Sequence, residues 1–168
     1  MAEIGILIRP LAEEDWESVR LIYLDGIDTG QATFESGAPS WAEWNQTHFS
    51  APRLVATLSE CVIGWAALSP ISARQAYAGV AEVSVYVSKD SRGHGIGKAL
   101  LEALVEQSER NAIWTLQASV FPENVASIAL HKSCGFREVG TRERIGYMNG
   151  IWRNTTLLER RSKLVGTG

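Results

Sequence analysis

The chain has 168 residues, of which 45% are apolar and 21% are charged, and its net charge is −3. These values are typical of one globular domain, residues 1–168, with a substantial core. The charge is small and long basic runs are missing, which argues against nucleic acid or a membrane as a partner. Two cysteines, Cys61 and Cys134, are too few for a disulfide framework and lack metal-type spacing. They predict a cytoplasmic protein without a metal site.

The first half of the chain contains two helical patterns and three strand patterns. Residues 6–9 predict an edge strand that stops at a proline, and residues 13–26 have apolar side chains at helical spacing. A capping-box pattern at Ser40 and Glu43 opens a second helix to about residue 49. Residues 53–58 and 61–68 then predict an antiparallel hairpin.

The second half alternates strands and helices before a final hairpin. The pattern predicts strands at 80–87 and 113–120, helices at 96–110 and 126–133, and a hairpin of 136–143 with 151–158. Asn149-Gly150 is a strong signal for the turn of that hairpin. Residues 161–168 are predicted to be a flexible tail. This order of elements is typical of a mixed α/β sheet with helices on both faces.

A glycine-rich turn joins the strand at 80–87 to the helix at 96–110, with glycines at positions 93, 95 and 97. Glycines allow close approach of a ligand, and a helix N-terminus attracts anions, so the turn predicts a phosphate site. It does not match the dinucleotide fingerprint, because Lys98 stands where the third glycine is needed. The nucleotide-triphosphate loop also fails, since Arg92 replaces its first glycine and Ala99 its hydroxyl residue. An ordinary glycine-rich turn is the remaining alternative.

A second segment has the pattern N-x-x-S-x-x-L-H-x-x-x-G-F from Asn124 to Phe136. Together with R-x-x-G-x-G at Arg92, it resembles the cofactor-binding segments of the GNAT family of N-acetyltransferases, over about residues 7–160. Within that family the chain is most similar to the phosphinothricin acetyltransferase branch. The segments behind this narrower resemblance are 33–35, 81–87 and 150–154. Val83 and Asn154 depart from the branch pattern, which leaves the acceptor open.

The resemblance implies the GNAT fold, a twisted, mostly antiparallel sheet, and acetyl-CoA as cosubstrate. It also implies a homodimer. The diphosphate of coenzyme A would bind the turn from Arg92 to Lys98, and a backbone N–H near Val85 would polarise the thioester. The residues implied to bind acetyl-CoA are Val85, Tyr86, Val87, Arg92, Gly93, His94, Gly95, Ile96, Gly97, Lys98, Asn124, Ser127 and Ser133. His94 is equally compatible with a solvent-facing spacer.

Two residues are candidates for proton transfer. Glu82 interrupts an apolar strand, where an unpaired carboxylate is costly to bury. It is the predicted base for the acceptor amine, directly or through a water; the alternative is a structural ion pair with Arg74. His131 stands where many relatives have tyrosine, and it is a candidate to donate to the departing thiolate or relay protons. Its alternative is a histidine satisfied by a backbone carbonyl.

The predicted reaction is transfer of acetyl from acetyl-CoA to the primary amine of a small amino-acid-like acceptor, such as phosphinothricin or methionine sulfoximine. The amine attacks the thioester directly, without a covalent enzyme intermediate. The predicted acceptor-site residues are Thr33, Phe34, Glu35, Arg74, Glu82 and Ser84. Alternatives are acetylation of a protein N-terminus, a lysine, an aminoglycoside or a polyamine, or a non-catalytic sensor of acyl-CoA.

Overall fold

A computed structural model describes residues 5–168 of the chain. In chain order the elements are β1 (Leu7–Pro10), α1 (Trp16–Asp28), α2 (Trp41–Thr47), β2 (Arg53–Leu58), β3 (Cys61–Pro70), β4 (Val80–Val87), α3 (Ile96–Arg110), β5 (Thr115–Val120), α4 (Val125–Ser133), β6 (Arg137–Met148) and β7 (Ile151–Arg161).

Within residues 5–168, seven strands form one sheet in the order β1-β2-β3-β4-β5-β7-β6. The contact between β4 and β5 is parallel, and the other five contacts are antiparallel. The prediction of a mixed, mostly antiparallel sheet is therefore confirmed. β1 lies at one edge, as expected, and β6 lies at the other.

Helices cover both faces of this sheet because side chains alternate along the strands. On β3, Trp65 and Ala67 pack in a cluster with residues of α1 and α2. Their neighbours Ala66 and Leu68 pack in a second cluster with residues of α3. All four are fully buried, so the sheet is the middle layer of three.

Local capping explains where the helices start and stop. The predicted capping box is present at α2, where Ser40 and Glu43 exchange hydrogen bonds. α2 ends at Thr47, earlier than predicted, because His48 has an extended backbone (φ −115°, ψ 150°). The first helix also differs: Glu13–Asp15 form a 3-10 turn, and the α-helix begins only at Trp16.

The last hairpin is longer than the sequence predicts. β6 and β7 turn at Asn149 and Gly150, which both have positive φ, as the hairpin signal predicts. β7 continues to Arg161, into the segment predicted as a tail. The next residue, Ser162, is buried and donates a hydrogen bond to Glu109 at 2.8 Å. The sheet and its contacts therefore extend past the predicted end of the strand at residue 158.

Candidate active site

The site begins where β4 and β5 separate. The two parallel strands pair only over residues 80–82 and 115–117, although β4 continues to Val87 and β5 to Val120. Glu82 and Gln117 form the last pair before the strands diverge. An opening in the sheet therefore lies beyond Glu82.

Free backbone groups of β4 face this opening. Ser88 donates its N–H to the oxygen of Ile63 at 2.8 Å. Hydrogen-bonded positions alternate along an antiparallel pair, so the N–H and C=O groups of Val85 and Val87 face away from β3. The C=O of Val87 accepts a hydrogen bond from Arg92, so the opening presents the N–H and C=O of Val85 and the N–H of Val87 to a ligand.

A cleft of about 580 Å³ occupies the opening. The predicted site residues that line it are Thr33, Phe34, Glu35, Glu82, Ser84, Val85, Tyr86, Val87, Arg92, Asn124, Ser127 and His131. Those outside its lining are Arg74, Gly93, His94, Gly95, Ile96, Gly97, Lys98 and Ser133. Residues that the sequence analysis did not single out also line it, among them Tyr23, Gln31 and Phe121.

Glu82 is half-buried at the narrow end of the opening. Its carboxylate accepts a hydrogen bond of 3.0 Å from the side-chain amide of Gln117. Among the ion pairs within residues 5–168, none includes Glu82, so the alternative of a pair with Arg74 is not what the structure shows. Arg74 is exposed, and its guanidinium lies 5.6 Å from the ring centroid of Tyr77.

The segment Thr33-Phe34-Glu35 lies in the loop after α1 and lines the cleft. Thr33 Oγ1 accepts a hydrogen bond from the backbone N–H of Glu35 at 3.1 Å. The Phe34 ring packs edge-on against Phe121, with centroids 4.9 Å apart. It also covers Gly146 of β6, where an added Cβ would lie 2.4 Å from the ring. A glycine at 146 is thus required for this packing.

Two tyrosines form the wall beneath Glu35 and Glu82. The rings of Tyr23 and Tyr86 contact edge to face, with centroids 4.9 Å apart. Burial raises the pKa of Tyr86 far above its usual range, and the charges of nearby groups, including Glu35 and Glu82, act in the same direction. Burial, followed by the charge of Glu35, also raises the pKa of Tyr23. Both hydroxyls therefore stay protonated at neutral pH.

His131 is 5% exposed and packs edge-on against Phe136. Its Nδ1 lies 2.7 Å from the backbone oxygen of Ser127, which only accepts, so Nδ1 carries a proton. Burial lowers the pKa of His131, and the hydrogen bond to Ser127 offsets this only in part. The neutral ring therefore has a lone pair at Nε2, which accepts a proton rather than donating one. This contact is the one expected from the alternative interpretation, in which a backbone carbonyl satisfies His131.

Two histidines, the buried His131 and the half-buried His48, predict a loss of stability in mild acid. Burial lowers the pKa of both His48 and His131 below the ordinary value of 6.5. The unfolded chain then binds more protons than the folded chain. The contribution of the two histidines to the free energy of unfolding is therefore complete above pH 6.5, and it is lost as the pH falls toward their pKa values in the folded chain. Each histidine contributes a slope of up to about 1.4 kcal/mol per pH unit. Urea unfolding between pH 7.5 and 5 measures it.

Single variants separate the two histidines. We expect His131→Gln and His48→Gln each to remove about half of the slope. A wild-type slope in both variants would contradict this prediction.

The glycine turn has the geometry of an anion site. Gly93 and Gly95 have φ of +79° and +78°, and nothing lies within 4 Å of a Cβ added to either. Gly95 is the N-cap of the 15-residue helix α3, without a side-chain cap. Within the described chain, the backbone N–H groups of residues 96–98 have no hydrogen-bond partner. They are therefore free to bind a ligand.

The side chains near the turn differ in how they are engaged. Arg92 donates from Nε to the oxygen of Val87 at 3.1 Å, which leaves its terminal nitrogens available. Lys98 is exposed, and its Nζ lies 3.8 Å from Glu102. Ser133 is exposed and donates to the oxygen of Leu130 within its own helix, so it lies away from the cleft.

Asn124 joins the two sides of the cleft. Its side-chain oxygen caps α4 by accepting from the N–H of Ser127 at 3.2 Å. Its side-chain nitrogen donates to the backbone oxygen of Gln31, also at 3.2 Å. Both polar atoms are thus engaged within the protein, which the sequence pattern alone did not indicate.

Residues 5–168 contain neither a metal-ligand cluster nor a membrane-spanning helix. Three or more His, Cys, Asp or Glu side chains do not converge anywhere in this range in a way that could hold a metal ion. Within the same range, the helices are too short or too polar to cross a bilayer.

Residues 12–136 match the model of the Acetyltransferase (GNAT) family. The chain belongs to the GNAT family. The resemblance inferred from the glycine turn and the Asn124 segment is therefore confirmed, and this GNAT protein is an acetyl-CoA-dependent acyltransferase.

Relatives agree with the narrower resemblance. A phosphinothricin N-acetyltransferase of Alcaligenes faecalis is 31% identical over 166 residues, which are 95% of this chain and 84% of the relative. An L-methionine sulfoximine/L-methionine sulfone acetyltransferase of Pseudomonas paraeruginosa is 30% identical over 159 residues, 90% of this chain and 92% of the relative. The crystal structure of a GNAT superfamily phosphinothricin acetyltransferase from Sinorhizobium meliloti, in complex with AcCoA, is 31% identical. It superposes with a TM-score of 0.85 over 97% of this chain and 91% of that one.

Proposed function

We propose that this GNAT enzyme acetylates the primary amine of a small amino-acid-like acceptor of the phosphinothricin or methionine sulfoximine type. The observation that carries the proposal is the opening between β4 and β5, with the glycine turn at one end and Glu82 at the other. Acetyl-CoA supplies an activated acyl group as a thioester. The residues of the chain hold it, orient the amine and take one proton from the ammonium. The neutral amine then forms the C–N bond, the C–S bond breaks, and the second amine proton passes to the departing thiolate of coenzyme A.

The turn binds the diphosphate. The backbone N–H groups of residues 96–98 and the positive end of the α3 dipole attract anionic oxygens. Arg92 adds charged donors beside the turn. Because main-chain groups do most of the binding, glycine at positions 93 and 95 matters more than the identity of His94 or Lys98.

The free edge of β4 holds the rest of the cosubstrate. The N–H and C=O groups of Val85 and the N–H of Val87 are placed to pair with amides of an extended ligand, as an added strand would. The N–H of Val85 is the proposed donor to the thioester carbonyl, where it stabilises negative charge that develops on oxygen.

Glu82 takes the proton from the acceptor ammonium, directly or through a water. Its half-buried carboxylate is fixed by Gln117 and lies on the cleft wall with Glu35. Neutral His131 supplies a proton acceptor at Nε2. It takes part in a proton relay and is not the first proton donor to the sulfur of coenzyme A. Burial raises the pKa of the Cys134 thiol, so that thiol stays protonated and is not proposed as a nucleophile.

One observation favours the second candidate, a cationic acceptor such as a polyamine or a protein N-terminus. Glu35 and Glu82 both line the cleft, and Arg92 is the only lysine or arginine on the lining formed by residues 5–168. Arg74, one of the predicted acceptor-site residues, lies outside this lining. An amino-acid acceptor therefore needs its anionic group held by hydrogen-bond donors such as Thr33 or Ser84.

A screen for thiol release from acetyl-CoA tests the proposal. We expect turnover with L-phosphinothricin or L-methionine sulfoximine, and little with spermidine, kanamycin or an alanine-terminated peptide. Turnover confined to the last three would establish the second candidate instead. Acetyl-CoA binding without turnover on any of these amines would make the protein an acyl-CoA sensor.

We further propose that the protein is a cytoplasmic homodimer, without nucleic acid or a membrane as partner. Support for the dimer comes from the β6–β7 hairpin, which exposes Ile145, Tyr147, Ile151 and Trp152. Sedimentation velocity measures the mass, and a monomer at micromolar concentration would contradict this part of the proposal.

A further inference from the structure

Arg153 is a buried cation on β7, and two of its three hydrogen-bond partners lie on the acceptor loop, residues 29–35. Its side chain is 9% exposed. One terminal nitrogen donates to the backbone oxygen of Gly30 at 3.2 Å, and the other donates to the side-chain oxygen of Gln31 at 3.0 Å. The same nitrogen that binds Gln31 also forms an ion pair with the carboxylate of Glu123, an exposed residue, at 3.4 Å. The loop thus supplies most of the close oxygen atoms that satisfy this guanidinium.

The Arg153 guanidinium also lies over an aromatic ring of the cleft wall. Its central carbon is 3.9 Å from the centroid of Phe121, and the Phe121 ring is at 82° to that of Phe34 of the acceptor loop. Arginine suits this position because its planar group stacks on a ring while its edge donates hydrogen bonds. Lysine keeps the charge but lacks the planar fork.

Two further contacts hold the same loop. Asn124, the N-cap of α4, donates to the backbone oxygen of Gln31 at 3.2 Å. Phe34 rests on Gly146 of β6. Arg153 is the member of this set that touches the loop backbone, the Gln31 side chain and the aromatic wall together.

We propose that Arg153 is a positioning residue for the acceptor site. It acts through the acceptor loop, by fixing the segment that carries Thr33, Phe34 and Glu35 opposite Glu82. The role rests on the proposed function, because the loop is the proposed acceptor wall. It predicts that loss of Arg153 weakens acceptor binding and leaves acetyl-CoA binding at the glycine turn intact.

The test compares Arg153→Met and Arg153→Lys by kinetics and by hydrogen exchange. With L-phosphinothricin as acceptor, we expect Arg153→Met to raise the acceptor KM by roughly tenfold or more, since charged hydrogen bonds are lost. The Kd for acetyl-CoA should change by less than about twofold, a negligible energy difference. Amides of residues 30–35 should exchange faster. Arg153→Lys should restore part of both effects.

Two more variants keep the test decisive. Gln31→Ala removes one hydrogen bond from an exposed residue, so it should fold and show a smaller change in the same direction. Arg137→Met removes the same charge from an exposed site on β6 and should leave the acceptor KM and the loop exchange unchanged. The hydrogen-exchange measurement needs no acceptor. It therefore decides the role of Arg153 even if no amine in the screen is acetylated.

Unchanged loop exchange in Arg153→Met would overturn the proposal. An equal rise in acceptor KM and acetyl-CoA Kd, with no rescue by lysine, would also overturn it by showing a general packing role.

Discussion

Glu82→Gln should lower kcat by roughly 10²–10³-fold at pH 7.5, the loss expected when a general base is removed. The amide has nearly the same shape as the carboxylate but cannot accept the proton of the ammonium. The diphosphate site is built from residues 92–98, at the other end of the opening, so acetyl-CoA affinity should be unchanged. Stopped assays of thiol release give kcat, and calorimetry gives the Kd for acetyl-CoA.

A matched variant and a neighbour sharpen this experiment. Glu14→Gln makes the same chemical change at an exposed position outside the cleft and should leave kcat unchanged. Gln117→Leu removes the donor that fixes the Glu82 carboxylate, so kcat should fall by a smaller factor than in Glu82→Gln. Parallel loss of turnover and acetyl-CoA affinity in Glu82→Gln would mean that Glu82 is structural.

Features that depend on a few neighbouring residues were predictable from the sequence. The glycine turn ends where α3 begins at Ile96, because Gly95 supplies the left-handed N-cap. Asn149 and Gly150 specify the last turn for the same steric reason. The order of elements then predicted the mixed sheet. Boundaries were less accurate where tertiary contacts decide them, as at Arg161, which extends β7 by pairing with β5.

Features that join distant parts of the chain could not be read from local patterns. Gln117 meets Glu82 across 35 positions, and Arg153 meets Gly30 across 123. Neither glutamine nor arginine has a local signal for such a partner. Arg74, a predicted acceptor-site residue, is exposed in the structure and lies beside Tyr77. Strand alternation is a local property, and it places Glu82, Ser84 and Tyr86 on one face of β4.

Gly95→Val should abolish acetyl-CoA binding, with a Kd increase of about 100-fold or more from the loss of several hydrogen bonds to charged oxygens. Gly95 has φ of +78°, a conformation that costs a residue with a Cβ about 1–2 kcal/mol. A β-branched residue escapes this strain only by rotating the backbone. That rotation redirects the N–H groups of residues 96–98, so the turn loses its anion geometry. Calorimetry with acetyl-CoA measures the effect.

Two glycine variants separate backbone geometry from added bulk. Gly95→Asn should keep most of the affinity, because asparagine adopts the left-handed region far more readily than valine does. Gly140→Val adds the same isopropyl group to an exposed strand glycine, where nothing lies within 4 Å of the new Cβ, and should bind acetyl-CoA normally. Thermal unfolding of all three variants checks that the fold is retained. If folded Gly95→Val bound acetyl-CoA with wild-type affinity, the diphosphate would have to bind elsewhere, and α3 would lose its role in the site.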